Sequence, residues 1–132
     1  MFQGEERKPR ILVADDDPVI VRLLDVNFRL EGYEVDTAAD GNEALAQAKE
    51  KHPDLILLDV MMPGVDGWET CRRLKEDPAT ADIPVVFLSA RAQDEDRRKG
   101  EALGVVEYVT KPFDPTDLVE LIGRSLSRTR QA

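Results

Sequence analysis

Four short, largely apolar runs in this 132-residue chain each end on groups able to do chemistry. Asp15-Asp16-Asp17 follows ILVA, Asp59 follows LILL, Ser89 follows VVFL, and Thr110-Lys111-Pro112 follows EYV. Asp59 stands directly against Leu55 to Leu58, where an unpaired charge is costly. Asp17, just before Pro18, reads as a helix N-cap, which leaves Asp15 and Asp16 to face Asp59. Three converging carboxylates repel one another and resist full ionisation. A hard divalent cation relieves that repulsion. Mg2+ suits carboxylate oxygens and keeps several of its waters, with Mn2+ as the alternative cation.

These groups meet only if the elements carrying them share an edge. Five short apolar segments recur, at residues 11–14, 34–39, 55–58, 85–88 and 107–109. Several are apolar throughout, as strands covered on both faces are. Between them lie helical patterns. Ile20, Leu23, Leu24 and Phe28 fall on one face of a helix over 19–31, and Leu118, Leu121, Ile122 and Leu126 repeat the spacing near the end. Residues 41–51 (Ala44, Leu45 and Ala48 inward) and 65–77 (Trp68, Cys71 and Leu74 inward) also read as helices. A weaker, highly charged helix is expected over 93–103, with Asp94/Arg98 and Glu95/Lys99 as pairs four residues apart. Asp17-Pro18 and Asp114-Pro115 mark helix starts, and Gly32 and Gly104 mark helix ends. Alternating strands and helices predict one doubly wound α/β domain with a parallel sheet and right-handed crossovers. Ligands of such sheets lie beyond the carboxyl ends of the strands, which is where all four chemical groups fall.

Taken in order and at their separations, ILVADDDP, DLILLDVMMPGVDGWE, VVFLSA and YVTKPF resemble the receiver domain of two-component response regulators, in the chemotaxis-type single-domain form. The likeness covers roughly residues 9 to 126. It implies a flavodoxin-like fold of five parallel strands in the order 2-1-3-4-5 with five helices. It makes Asp59 the phosphoacceptor for a histidine kinase's phosphohistidine, and Asp16 a direct Mg2+ ligand with Asp15 acting through a metal-bound water. The Met61 carbonyl completes the protein's share of the coordination. Ser89 matches the hydroxyl that bonds a phosphoryl oxygen, Lys111 the lysine that pairs with the phosphoryl group, and the Lys111-Pro112 bond is expected to be cis. Tyr108 matches a switch aromatic, whose movement reshapes the surface of the fourth helix, fifth strand and fifth helix for partner binding. Met61 and Arg91 lie two residues beyond Asp59 and Ser89, flank water's line of attack on an acyl phosphate, and are expected to set its lifetime. The chemistry agrees on general grounds, because phosphoryl transfer needs positioning and charge neutralisation more than covalent help.

The chain divides into a flexible N-terminal segment (1–8), the receiver domain (9–127) and a C-terminal tail (128–132). A formal net charge of −9 argues against binding nucleic acid or an anionic membrane directly, and Arg124, Arg128 and Arg130 do not reverse it. The polar first residues lack a signal peptide's apolar stretch, and no apolar run approaches the roughly 20 residues that span a bilayer. A single cysteine, Cys71, excludes an intrachain disulfide and favours a cytoplasmic setting. His52 reads as a helix-end residue and Trp68 as helix packing. Val106, if exposed, adds apolar surface to the docking face.

The partners expected are a sensor histidine kinase or phosphotransfer protein, and a downstream protein or fused output domain, with the chain a monomer or a phosphorylation-linked dimer. It is expected to be a switch and no turnover enzyme, catalysing only gain and loss of its own phosphoryl group. A Mg2+-dependent phosphatase with an aspartyl nucleophile is disfavoured because Met61 occupies the place of its second, general-acid Asp. A flavodoxin-like carrier is disfavoured because Asp15-Asp16-Asp17 would repel a cofactor phosphate. A receiver that binds partners without phosphorylation is disfavoured because the acids, hydroxyl and lysine are all present.

Overall fold

Leucine, isoleucine and valine dominate the strands, and the computed structural model, which describes residues 8–131, pairs them side by side. Strands β1 (Arg10–Ala14), β2 (Glu34–Ala38), β3 (Leu55–Asp59), β4 (Val85–Ser89) and β5 (Glu107–Thr110) form one parallel sheet in the order β2-β1-β3-β4-β5. Helices α1 (Pro18–Leu30), α2 (Gly41–Lys51), α3 (Gly67–Glu76), α4 (Asp94–Ala102) and α5 (Pro115–Gln131) connect and follow them. This is the flavodoxin-like doubly wound α/β arrangement that the sequence predicts.

The strand period of two sorts the core into two layers. Ile11, Val13, Leu55 and Leu57 face Leu24 and Phe28 of α1 and Leu118 and Ile122 of α5. Leu12, Ile56, Leu58 and Phe87 face Ala44 of α2 and Leu74 of α3. Strands β3 and β4 are buried at every position, the reason their sequences do not alternate. The helix starts are local: Asp17, Asp40 and Asp66 accept hydrogen bonds from the backbone N–H groups of Val19, Glu43 and Glu69. Gly32 and Gly104 adopt φ of +95° and +88° at helix ends, and His52 caps α2 at φ +46° with its Nε2 3.4 Å from Asp82.

Three details differ from the sequence reading. Leu23 is 37 % exposed, since the core side of α1 is centred on Leu24 and Phe28. With Val19, Val26 and Leu30 it forms an outer apolar stripe. Neither Asp94/Arg98 nor Glu95/Lys99 forms an ion pair; Lys99 lies instead over the Trp68 ring of α3, and its neighbour Arg97 over the Tyr108 ring of β5. Helix α5 runs on through residues 128–131, which the sequence assigns to a tail, and Arg128 pairs with Glu107 of β5 at 3.1 Å. The flexible segment expected at 1–8 lies outside the described residues except for Lys8. Among the described residues, no helix is long and apolar enough to cross a membrane.

Candidate functional site

The pleat that divides the core also divides the site. Asp15 continues the parity of Ile11 and Val13, Asp59 that of Leu55 and Leu57, and Lys111 that of Val109. These three converge at the carboxyl edge of the sheet. Lys111 Nζ lies 3.0 Å from Asp15 Oδ2 and 3.5 Å from Asp59 Oδ2. Asp15 and Asp59 are 1 % and 2 % exposed, whereas Asp16 is open to solvent. Carboxylate oxygens of Asp15, Asp16 and Asp59 lie within 4.8 Å of one another. The backbone holds one oxygen of each buried acid: Asp17 N–H donates to Asp15 Oδ1 at 2.9 Å, and Met61 N–H to Asp59 Oδ1 at 3.1 Å. The other Asp15 oxygen, Oδ2, is buried beside the lysine without an aligned hydrogen bond.

This is an arrangement short of positive charge. Burial pushes Asp59 up to about 7; the Met61 N–H opposes that, the Asp15 charge adds to it, and Lys111 opposes it again. Burial pulls Lys111 down, but its bond to Asp15 and the charges of Asp15 and Asp59 outweigh this and leave it above its ordinary value. One ammonium thus serves two buried carboxylates, with a third beside them. An oxygen-rich cluster whose two buried carboxylates share one ammonium and whose third member faces solvent suits a hard divalent cation that retains waters on its open side. A glycine closes the floor, because a Cβ at Gly67 would overlap the Asp59 carbonyl oxygen and Val60 Cα.

Ser89 belongs to the opposite parity, with Val85 and Phe87, and so stands on the α4 side of the edge. Its Oγ accepts from the Arg91 N–H at 3.0 Å, and its carbonyl accepts from the Lys111 N–H at 2.8 Å. The Lys111-Pro112 bond is cis. Tyr108 is half-buried, edge-on to Phe87 at 6.0 Å, and its hydroxyl donates to the Arg91 carbonyl at 2.7 Å. Arg91 carries its guanidinium on Asp96, Nε to Oδ1 at 3.0 Å. Met61 is 55 % exposed beside the site, and Val106 is 40 % exposed on the β5 side. Trp68 packs edge-on to Phe87 at 5.1 Å, with Lys99 Nζ 4.4 Å from its ring centroid. Cys71 is buried, which pushes its thiol up to about 11 and leaves it unreactive. Asp96 is the group that sequence reasoning missed. Its place as the third residue of α4 gave only a solvated-face signal, yet it is 4 % exposed.

Comparison with known proteins identifies the family and agrees with the fold. A family model described as the response regulator receiver domain matches residues 11–123. The DNA-binding dual master transcriptional regulator RpaA of Synechocystis is 46 % identical over 121 residues, covering 92 % of this chain and 50 % of that protein. The response regulator PleD of Caulobacter vibrioides is 50 % identical over 119 residues, covering 90 % of this chain and 26 % of that protein. The chain therefore spans between a quarter and a half of these two relatives. Among solved structures, the chemotaxis protein CheY4 of Vibrio cholerae superposes with a TM-score of 0.85 at 32 % identity, covering 89 % of this chain and 98 % of that one. A receiver domain from Methanospirillum hungatei gives 0.89 at 28 % identity, covering 95 % and 98 %.

Proposed function

The chain belongs to the family of response regulator receiver domains, phosphorylation-dependent switches of two-component signalling, and we propose that Asp59 is the residue at which it takes its phosphoryl group. The observation that carries this reading is the buried Asp59 carboxylate at the open end of β3, held by the Met61 N–H and 3.5 Å from Lys111 Nζ. The donor is the phosphohistidine of a histidine kinase or phosphotransfer protein. An Asp59 carboxylate oxygen attacks phosphorus, the P–N bond breaks, and the imidazole leaves neutral once its other nitrogen is protonated. Lys111 stands where it can follow the charge from carboxylate to phosphoryl oxygen. Ser89, whose Oγ already accepts from Arg91, keeps its own hydrogen to donate to a phosphoryl oxygen.

Asp15, Asp16 and Asp59, with the Met61 carbonyl, are the groups that would hold Mg2+. Bound there, the ion supplies positive charge to the phosphoryl oxygens. The chain works as a switch and performs no turnover chemistry on a separate substrate; hydrolysis of its own acyl phosphate, at a rate influenced by Met61 and Arg91, resets it. The added charge of about −1.5 to −2 draws on Ser89 and Lys111 and biases Tyr108 and the α4–β5–α5 surface, where Val106 is exposed, toward a downstream protein or fused output domain. Labelling with a small phosphodonor in Mg2+ tests the assignment. The wild-type chain takes up label and Asp59→Asn does not; equal labelling of the two overturns it.

A further inference from the structure

Arg91 touches three parts of the molecule at once. Its N–H donates to Ser89 Oγ at 3.0 Å, its carbonyl accepts from the Tyr108 hydroxyl at 2.7 Å, and its Nε donates to Asp96 Oδ1 at 3.0 Å. The second Asp96 oxygen accepts from the Gln93 N–H at 3.3 Å, at the entry to α4. A buried carboxylate needs such partners, and Asp96 is 4 % exposed.

Helix α4 gives this contact unusual weight. Its buried residues are Asp96 and Gly100, so it seats no apolar side chain in the core. An ordinary surface helix is held by an apolar stripe. Apolar anchoring comes only from beyond its end, where Leu103 at the C-cap and Val105 pack on the core; α4 itself rests on the Asp96 cluster, on the close approach of Gly100 to Tyr108, Val105 and Phe87, and on Arg97 and Lys99 over the rings of Tyr108 and Trp68. The loop before it offers little else, since Ala90 and Ala92 have no polar side chain to anchor it.

We propose that Arg91 and Asp96 form a positioning pair that fixes the Ser89 hydroxyl for phosphoryl binding and transmits its engagement to α4. By fixing the loop, the pair sets the position of the Arg91 N–H. That N–H occupies a lone pair of Ser89 Oγ and so directs the hydroxyl hydrogen elsewhere, toward the phosphoryl group. The same residue, through the carbonyl of its next peptide group, holds Tyr108. Ser89, Tyr108 and α4 are thereby joined through one residue. The inference rests on the reading of Asp59 as phosphoacceptor, and it assigns the Arg91 guanidinium to the loop and α4, with no direct contact to the phosphoryl group.

The test is Mg2+-dependent binding of beryllofluoride, a phosphoryl mimic, to the full chain, followed by calorimetry and by amide exchange over α4. Arg91→Ala and Asp96→Asn each weaken binding about tenfold, and Arg91→Lys, which keeps the charge, recovers most of the loss. In a Ser89→Ala background, Arg91→Ala adds less than about twofold, because the group it positions is gone. At saturating beryllofluoride, α4 exchange changes in the wild type and stays unchanged in Arg91→Ala. A role confined to capping α4 would leave the Ser89→Ala and Arg91→Ala losses fully additive, and that result overturns the proposal. So does wild-type affinity in both Arg91→Ala and Asp96→Asn, the second variant serving if the first does not fold. Failure of the wild type itself to bind the mimic refutes the phosphoacceptor reading and this inference with it.

Discussion

Asp59, the proposed phosphoacceptor, occupies its place at a cost to the fold. It is 2 % exposed, close to a second buried acid, Asp15, and both share a single lysine. Without a bound cation the ionised carboxylate is desolvated and repelled, which is why burial and then the Asp15 charge hold it well above the usual carboxylate range. Removing one negative charge from this cluster should therefore strengthen the metal-free protein while abolishing its chemistry. Asp59→Asn in EDTA is expected to gain at least ~1 kcal/mol, or about 3–4 °C in Tm for a chain of this size. Calorimetric unfolding of both proteins checks this, and a lower Tm for the variant would mean that Lys111 already satisfies both acids. Glu69 is the opposite kind of residue. Hydrogen bonds from Arg72 and then Arg73 hold it down to about 2, but it sits on the exposed side of α3, where solvent and salt screen such pairs.

The elements explain why the site can be so tightly drawn. Helix α3 begins directly beneath β3, with the Gly67 N–H donating to the Val60 carbonyl at 2.8 Å and no room for a Cβ against the Asp59 carbonyl. Gly67→Ala must push the helix start away from the strand end that carries Asp59. A loss of about 1–3 kcal/mol is expected, with weakened phosphodonor labelling, measured by denaturant unfolding and by the labelling assay. Wild-type stability would show that the α3 start moves freely. The strands, the helix starts and the sharp turns were legible in the sequence, since apolar runs, Asp-Pro caps and glycines act within a few residues. What α4 would touch was not. Spacing along a helix predicts partners on the same helix, whereas Lys99 and Arg97 meet Trp68 and Tyr108, residues brought near only by the sheet. The outward turn of Leu23 was hidden for a related reason. Helix α1 carries apolar residues on two sides, and periodicity alone does not say which side the sheet will cover.

At the scale of the whole molecule, parallel topology turns four distant stretches of chain into one acidic pocket. The sequence made its membership readable because each group directly follows a strand, and every parallel strand ends on the same edge. It did not reveal that Lys111 would lie nearer Asp15 than Asp59, which depends on side-chain packing across β1, β3 and β5. A chain with formal net charge −9 that concentrates three carboxylates in this way stores repulsion that a divalent cation can release. Binding to the folded state alone stabilises it by about 2.7 kcal/mol at a hundredfold excess over Kd, which for this chain length is a rise of about 10 °C in Tm. Mg2+ titrated against thermal unfolding should show that rise, growing with the logarithm of concentration. Sodium chloride at matched ionic strength should give much less, because general screening acts on exposed charges and only weakly on Asp15 and Asp59. In a chain carrying both Asp15→Asn and Asp16→Asn the Mg2+ response should fall to the level of the salt control. An undiminished response there would place the cation elsewhere on the acidic surface and separate metal binding from the proposed phosphoacceptor edge.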